Sequence, residues 1–98
     1  MKHFREIKTI LEKNRKKFAA EHKVKEIGVF GSLVRGEERA GSDVDIFVEF
    51  EQGHKTFDNY MELKFLLEKL LGEPVDLVVK TALRDEIKDA VLSEAVYV

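Results

Sequence analysis

Three aspartates, Asp43, Asp45 and Asp76, carry the strongest chemical signal in this 98-residue chain. The first two open the run DVDIFVEF, whose β-branched and aromatic residues predict a strand over Val44–Phe50. Strand side chains alternate faces with a period of two. Val44, Ile46, Val48 and Phe50 therefore point toward a core, and Asp43, Asp45, Phe47 and Glu49 point the other way. Two adjacent carboxylates repel, and each raises the other's pKa. Such a pair adds nothing to stability, whereas a hard divalent cation, which takes oxygen ligands, removes the repulsion. Asp76 repeats the pattern inside PVDLVV, where Val75, Leu77 and Val79 share one face and the charge sits on the other. If the two strands are neighbours, the three carboxylates meet. Three carboxylates can hold two metal ions for an in-line displacement at phosphorus. One ion would activate an attacking hydroxyl, and the other would neutralise a triphosphate and its departing pyrophosphate. The bland alternative is an exposed sheet face carrying three solvated acids.

Gly31 and Ser32 fit the same chemistry. They follow a predicted strand and precede a predicted helical turn, where free backbone N–H groups can bind phosphate. Gly31 allows close approach of the backbone, and Ser32 adds a hydroxyl donor. Alone, a Gly-Ser pair is ordinary turn chemistry. The signal lies in its position ten residues ahead of SDVDIFVEF. Glu49 shares the aspartates' face but reads as a solvated strand residue. His3, His22 and His54 lack metal-ligand spacing and read as surface residues. Tyr60 and Tyr97 read as packing residues.

The elements that must position these groups follow from periodicity. Phe4, Ile7, Leu11 and Phe18, with Ile10 beside them, predict an amphipathic helix over residues 2–22. VKEIGVF predicts a strand over Val24–Phe30. Gly31, Gly36 and Gly41 punctuate a turn-rich spacer with one helical turn at residues 33–36, and Ser42 is placed to cap the turn before the next strand. After a loop at residues 51–55, Thr56 is the expected N-cap of a helix ending at Leu71, with Gly72 as its stop. Met61, Leu63, Leu66, Leu67, Leu70 and Leu71 form its core face. Pro74 restarts an extended segment, Val75–Val79. A last helix over residues 83–93 places Ile87, Ala90 and Val91 inward, and the apolar tail AVYV packs down or meets a partner. This order predicts a two-layer α/β sandwich with a small sheet, in one domain spanning residues 1–98.

The stretch GSLVRGEERAGSDVDIFVEF, with the later Asp76 strand, resembles the signature of the DNA polymerase β-like nucleotidyltransferase superfamily, above all its minimal, MNT-type members. The family pattern is Gly-Ser, a spacer, Asp-x-Asp and a third acidic residue on a later strand. Every position is filled here, and the resemblance covers nearly the whole chain. It implies the family palm, an α+β two-layer fold with a small mixed sheet of three or more strands and flanking helices. It implies that Gly31 and Ser32 hold the phosphates of ATP, that Asp43 and Asp45 ligate two Mg²⁺ ions, and that Asp76 completes the first ion's site and helps activate the acceptor. For Arg35, in its GSxxRGE context, it implies support of the turn or approach to phosphate. A salt bridge from Arg35 to Glu37, Glu38 or Asp43 is the competing reading, and Arg39 lies in the same spacer.

MNT-type proteins are commonly encoded beside HEPN-domain proteins as toxin–antitoxin pairs. The resemblance implies an antitoxin that transfers AMP from ATP to a tyrosine of a HEPN ribonuclease. Two other readings stay open: neutralisation of the partner by binding alone, and nucleotidylation of a small molecule by a homo-oligomer. A chain this short has no room for a second, acceptor-gripping domain. The expectation is therefore that a partner completes the site or is itself the acceptor.

Composition narrows the setting. Apolar residues make up 44% and charged residues 37% of the sequence, as in a soluble globular domain. The absence of cysteine excludes disulfides, thiolate zinc sites and a cysteine nucleophile. No apolar run approaches the roughly 20 residues that span a bilayer. The charged N-terminus, MKHFREIKTILEK, is unlike a secretory signal, so no membrane association and a cytoplasmic location are expected. Residues 1–25 carry nine Lys/Arg against three Glu, or +6, and residues 26–98 carry eight basic against sixteen acidic, or −8, which sum to the net −2. The basic first helix is either a solvated face or a docking surface for an acidic partner. The acidic remainder argues against direct nucleic-acid binding.

Overall fold

The apolar spacing at the N-terminus folds as helix α1, Phe4–His22, with Ile7, Leu11 and Phe18 fully buried. Its first turn is held by the Glu6 carboxylate, which accepts from the His3 N–H at 3.4 Å. The computed structural model describes residues 3–37 and 43–98. Lys2, at the expected helix start, and Glu38, Arg39, Gly41 and Ser42 of the spacer lie outside them.

Strand β1, Val24–Phe30, runs into a 3-10 turn at Gly31–Leu33, two residues earlier than the expected helical turn. Strand β2 is Val44–Phe50, helix α2 is Phe57–Leu71 and strand β3 is Val75–Val79. A second 3-10 turn, Lys80–Ala82, leads to helix α3, Asp85–Glu94, and strand β4, Val96–Tyr97. The sheet order is β3-β2-β1-β4. β1 runs antiparallel to both β2 and β4, while β2 and β3 are parallel and joined by α2 as a crossover. No helix among the described residues is long and apolar enough to cross a membrane.

The core lies between the two long helices and one sheet face. Val44, Ile46, Val48 and Phe50 meet Val24, Ile27 and Val29 of β1, Val75 and Leu77 of β3, and Leu63, Leu67 and Leu71 of α2. A bulge between Val24 and Glu26 adjusts the β1 alternation, so that Val24 and Ile27 both face this core. Leu66 and Leu70 pack against it from the side, and Met61 is half-buried.

α2 begins and ends as its terminal residues dictate. The Thr56 hydroxyl accepts from the Asn59 N–H at 3.2 Å, and Gly72 closes the helix in the left-handed region at φ 67°, its N–H donating to the Glu68 carbonyl. Thr56→Ala should cost about 1 kcal/mol. That corresponds to a fall of roughly 4–8 °C in Tm by calorimetry for a domain of this size. An unchanged Tm would mean that α2 does not depend on this cap.

Three expectations need correction. His22 is buried, not a surface residue: Asn59 Nδ2 donates to its carbonyl at 2.7 Å, and its Nδ1 lies 3.3 Å from Asn59 Oδ1. The last helix starts at Asp85, because Leu83 and Arg84 are extended. Its Ile87 is 49% exposed and Ala90 is also exposed, leaving Val91 and Leu92 half-buried. The tail does pack down, and it does so as β4, so the sheet has four strands.

Candidate active site on the open sheet face

Parallel pairing of β2 with β3 puts Asp45 directly opposite Asp76. Both occupy the second position of their strands, on the face turned away from α1 and α2. Asp45 is half-buried, and Asp43 and Asp76 are exposed. The Asp45 carboxyl is pushed above its ordinary value, first by burial and then by the negative charges of Asp76 and Asp43. Arg35 opposes it.

The glycine turn abuts the same carboxylate. Asp45 is also the register partner of Phe30, the last residue of β1, so the chain turns at Gly31 right beside it. Gly31 has φ 79°, and a Cβ built there would run into Asp45 Oδ2. Only glycine combines that backbone angle with so close an approach. The turn is closed by Arg35 N–H to the Gly31 carbonyl at 3.2 Å and Glu37 N–H to the Ser32 carbonyl at 2.8 Å. Ser32 is half-buried at its start.

Sequence reasoning misses a fourth acid at this corner. Glu94, the last residue of α3, accepts from the Gly31 N–H at 3.1 Å. Arg35 Nη1 donates to both Glu94 oxygens, at 2.9 and 3.1 Å, and Arg35 Nε donates to Glu37 at 2.8 Å. The competing reading of Arg35, a salt bridge, therefore holds in this state with Glu37 as one partner, and the Gly31 N–H already has a partner. A lone glutamate at the end of a short helix carries no spacing signal, and its partner lies 63 residues away.

Beyond the acids, the open face becomes apolar. Phe47 is fully buried although it points away from the main core. It is covered by Tyr97, whose ring stands edge-on at 4.9 Å, and by Phe30 at 6.4 Å. Gly28 makes room for it, since a Cβ there would strike the Phe47 ring and the Val96 carbonyl. At the far border Lys80 pairs with Glu26 at 2.7 Å and lies 5.4 Å from the Tyr97 ring centroid.

Among the described residues, no three His, Cys, Asp or Glu side chains close into a ready metal cage. What the site offers is a carboxylate pair, with Asp43 acting on Asp45 through its charge. A divalent cation fits this donor set chemically: after burial, the charges of Asp76 and Asp43 hold the Asp45 carboxyl up, and a hard cation between the acids would relieve that repulsion.

Comparisons with known proteins give the family. The model of the family described as "Nucleotidyltransferase domain" matches residues 7–98. The chain is 48% identical over 93 residues to the protein adenylyltransferase MntA of Thermococcus cleftensis, covering 95% of this chain and 93% of that protein. A solved structure described as a minimal nucleotidyltransferase superposes with a TM-score of 0.76 at 37% identity, covering 92% of this chain and 93% of that one. A crystal structure of a toxin–antitoxin with AMP-PNP matches with a TM-score of 0.70 at 25% identity, covering 88% of this chain and 70% of that one.

Proposed function

The chain belongs to the nucleotidyltransferase domain family, and on that premise we propose that it moves AMP from ATP to a hydroxyl of a partner protein, acting as an antitoxin. The observation that carries the reading is the Asp45–Asp76 pair set against the Gly31 turn. The name of the Thermococcus relative supports adenylate as the transferred group. The toxin–antitoxin structure with AMP-PNP supports a toxin as partner and an adenine nucleotide as ligand. The partner proposed from the sequence resemblance is a HEPN ribonuclease, with a tyrosine as acceptor.

In this reading the acceptor oxygen bonds to the α-phosphorus of ATP, and the bond from that phosphorus to the bridging oxygen breaks. Pyrophosphate leaves with the electron pair, and the acceptor hydroxyl gives up its proton. Asp43, Asp45 and Asp76 would hold divalent metal, Mg²⁺ in the first instance; when bound, it supplies neutralisation of the triphosphate and acidification of the acceptor hydroxyl. Gly31, Ser32 and Arg35 would bind the phosphate oxygens, through backbone N–H, hydroxyl and guanidinium donors. Asp76, which is exposed, would help activate the acceptor and take its proton.

The test is to incubate the protein with Mg²⁺, α-labelled ATP and its HEPN partner, beside an Asp43→Asn/Asp45→Asn double variant. Label should appear on the partner and disappear in the variant. Silencing of the partner's ribonuclease by complex formation, with no label transferred, would overturn the enzymatic reading in favour of neutralisation by binding.

A further inference from the structure

The corner assigned above to nucleotide phosphate already holds an anion, and that anion belongs to the protein. The Glu94 carboxylate takes the Gly31 N–H and both of its oxygens take Arg35 Nη1. A backbone N–H at a left-handed glycine beside a guanidinium is a donor set suited to phosphate oxygens. A carboxylate and a phosphate cannot use the same two donors at once, and their like charges repel.

Glu94 is also able to leave. Its side chain is 31% exposed, and the Arg35 side chain is 47% exposed. Ion pairs this accessible to water are weak and exchange readily. No residue of α3 is fully buried.

We propose that Glu94 is an affinity-setting residue for the nucleotide: its carboxylate fills the phosphate corner in the free protein and swings out when a nucleoside triphosphate enters. The inference rests on the nucleotidyltransferase reading of the site. Its consequence is that the protein binds ATP less tightly than its donors allow. In the free state Glu94 also keeps the Arg35 guanidinium engaged.

Titration of the full chain with ATP and Mg²⁺, followed by calorimetry, tests this against two variants. Glu94→Gln keeps the shape and an acceptor for the Gly31 N–H but removes the charge. Glu94→Ala removes the occupant. Both are expected to bind ATP roughly three- to fivefold more tightly than the native protein, the scale of an exposed ion pair. The gain should shrink as salt is raised. Unchanged or weaker binding in both variants would overturn the proposal and make Glu94 a support for Arg35 instead. Failure of the native protein to bind ATP at all would overturn the functional reading and this inference together. Binding by the native protein with no gain in either variant overturns the inference alone.

Discussion

Asp45→Asn should lower AMP transfer by roughly 10³-fold or more and yet yield a protein that melts higher than the native one at neutral pH in metal-free buffer. The loss follows from the proposed chemistry: a metal clamp on the triphosphate is worth several kcal/mol, and each 1.36 kcal/mol is about tenfold in rate. The gain follows from the electrostatics. Burial, Asp76 and Asp43 push the Asp45 carboxyl up. A carboxyl whose folded pKa exceeds its unfolded value contributes stability that is fully present below the ordinary carboxylate range. That contribution is lost as pH rises through the folded pKa. At pH 7 the ionised Asp45 therefore opposes folding, and a neutral Asn does not. The difference in Tm should be positive at pH 7 and vanish near pH 3, below both values. Excess Mg²⁺ should raise the Tm of the native protein and leave the variant unmoved, because only a ligand bound by the folded state stabilises it. A variant that melts lower at pH 7, or that keeps the Mg²⁺ response, would remove Asp45 from the proposed site.

Gly31→Ala is expected to damage the site almost as severely, by another route. An alanine at φ 79° costs about 1–2 kcal/mol in backbone strain. Its methyl group would also press on Asp45 Oδ2, so either the carboxylate must rotate or the turn must open. Small misplacements at a reacting centre cost about 10²-fold in rate, and we expect a loss of that order in transfer. Gly36 supplies the control. It has φ 74°, but a methyl group there would meet nothing within 4 Å, so Gly36→Ala reports the backbone strain alone. If the collision with Asp45 matters, Gly31→Ala is the more destabilising of the two by denaturant titration. Most of the excess should disappear when Asp45 is also replaced by alanine, since contacting residues are not additive. Equal effects at Gly31 and Gly36, or no relief in the double variant, would show that the turn does not lean on Asp45.

Most of the fold is legible in the sequence because local and tertiary demands coincide. Val24–Phe30, Val44–Phe50 and Val75–Val79 are strands with the expected bounds. Each alternates or concentrates apolar residues against a real core, and α2 carries its own cap and stop. The Asp45–Asp76 encounter is legible only as a condition on strand order, which the parallel crossover satisfies. What escapes depends on contacts distant in sequence. A strand of two residues, Val96–Tyr97, has no period to detect and exists because β1 offers it an edge. Alternation places Phe47 on the open face correctly, but its burial there needs Tyr97 and a glycine at position 28. Helical spacing points Ile87 inward, yet α3 lies at the margin of the molecule and leaves it exposed. Glu94 matters only through Gly31 and Arg35.

The position of Asp76 bears on how the chain selects its own alignment. A slip of β3 by one residue against β2 would turn Asp76 into the apolar layer and bring Leu77 out to water. An unpaired charge in that layer, among Val44, Ile46 and Leu71, is one of the most unfavourable substitutions a core can receive. Mispaired forms of the sheet are thus selected against by the same side chain that the proposed site uses. Replacing Asp76 with a neutral residue would remove a ligand of the proposed site and also a safeguard on strand register.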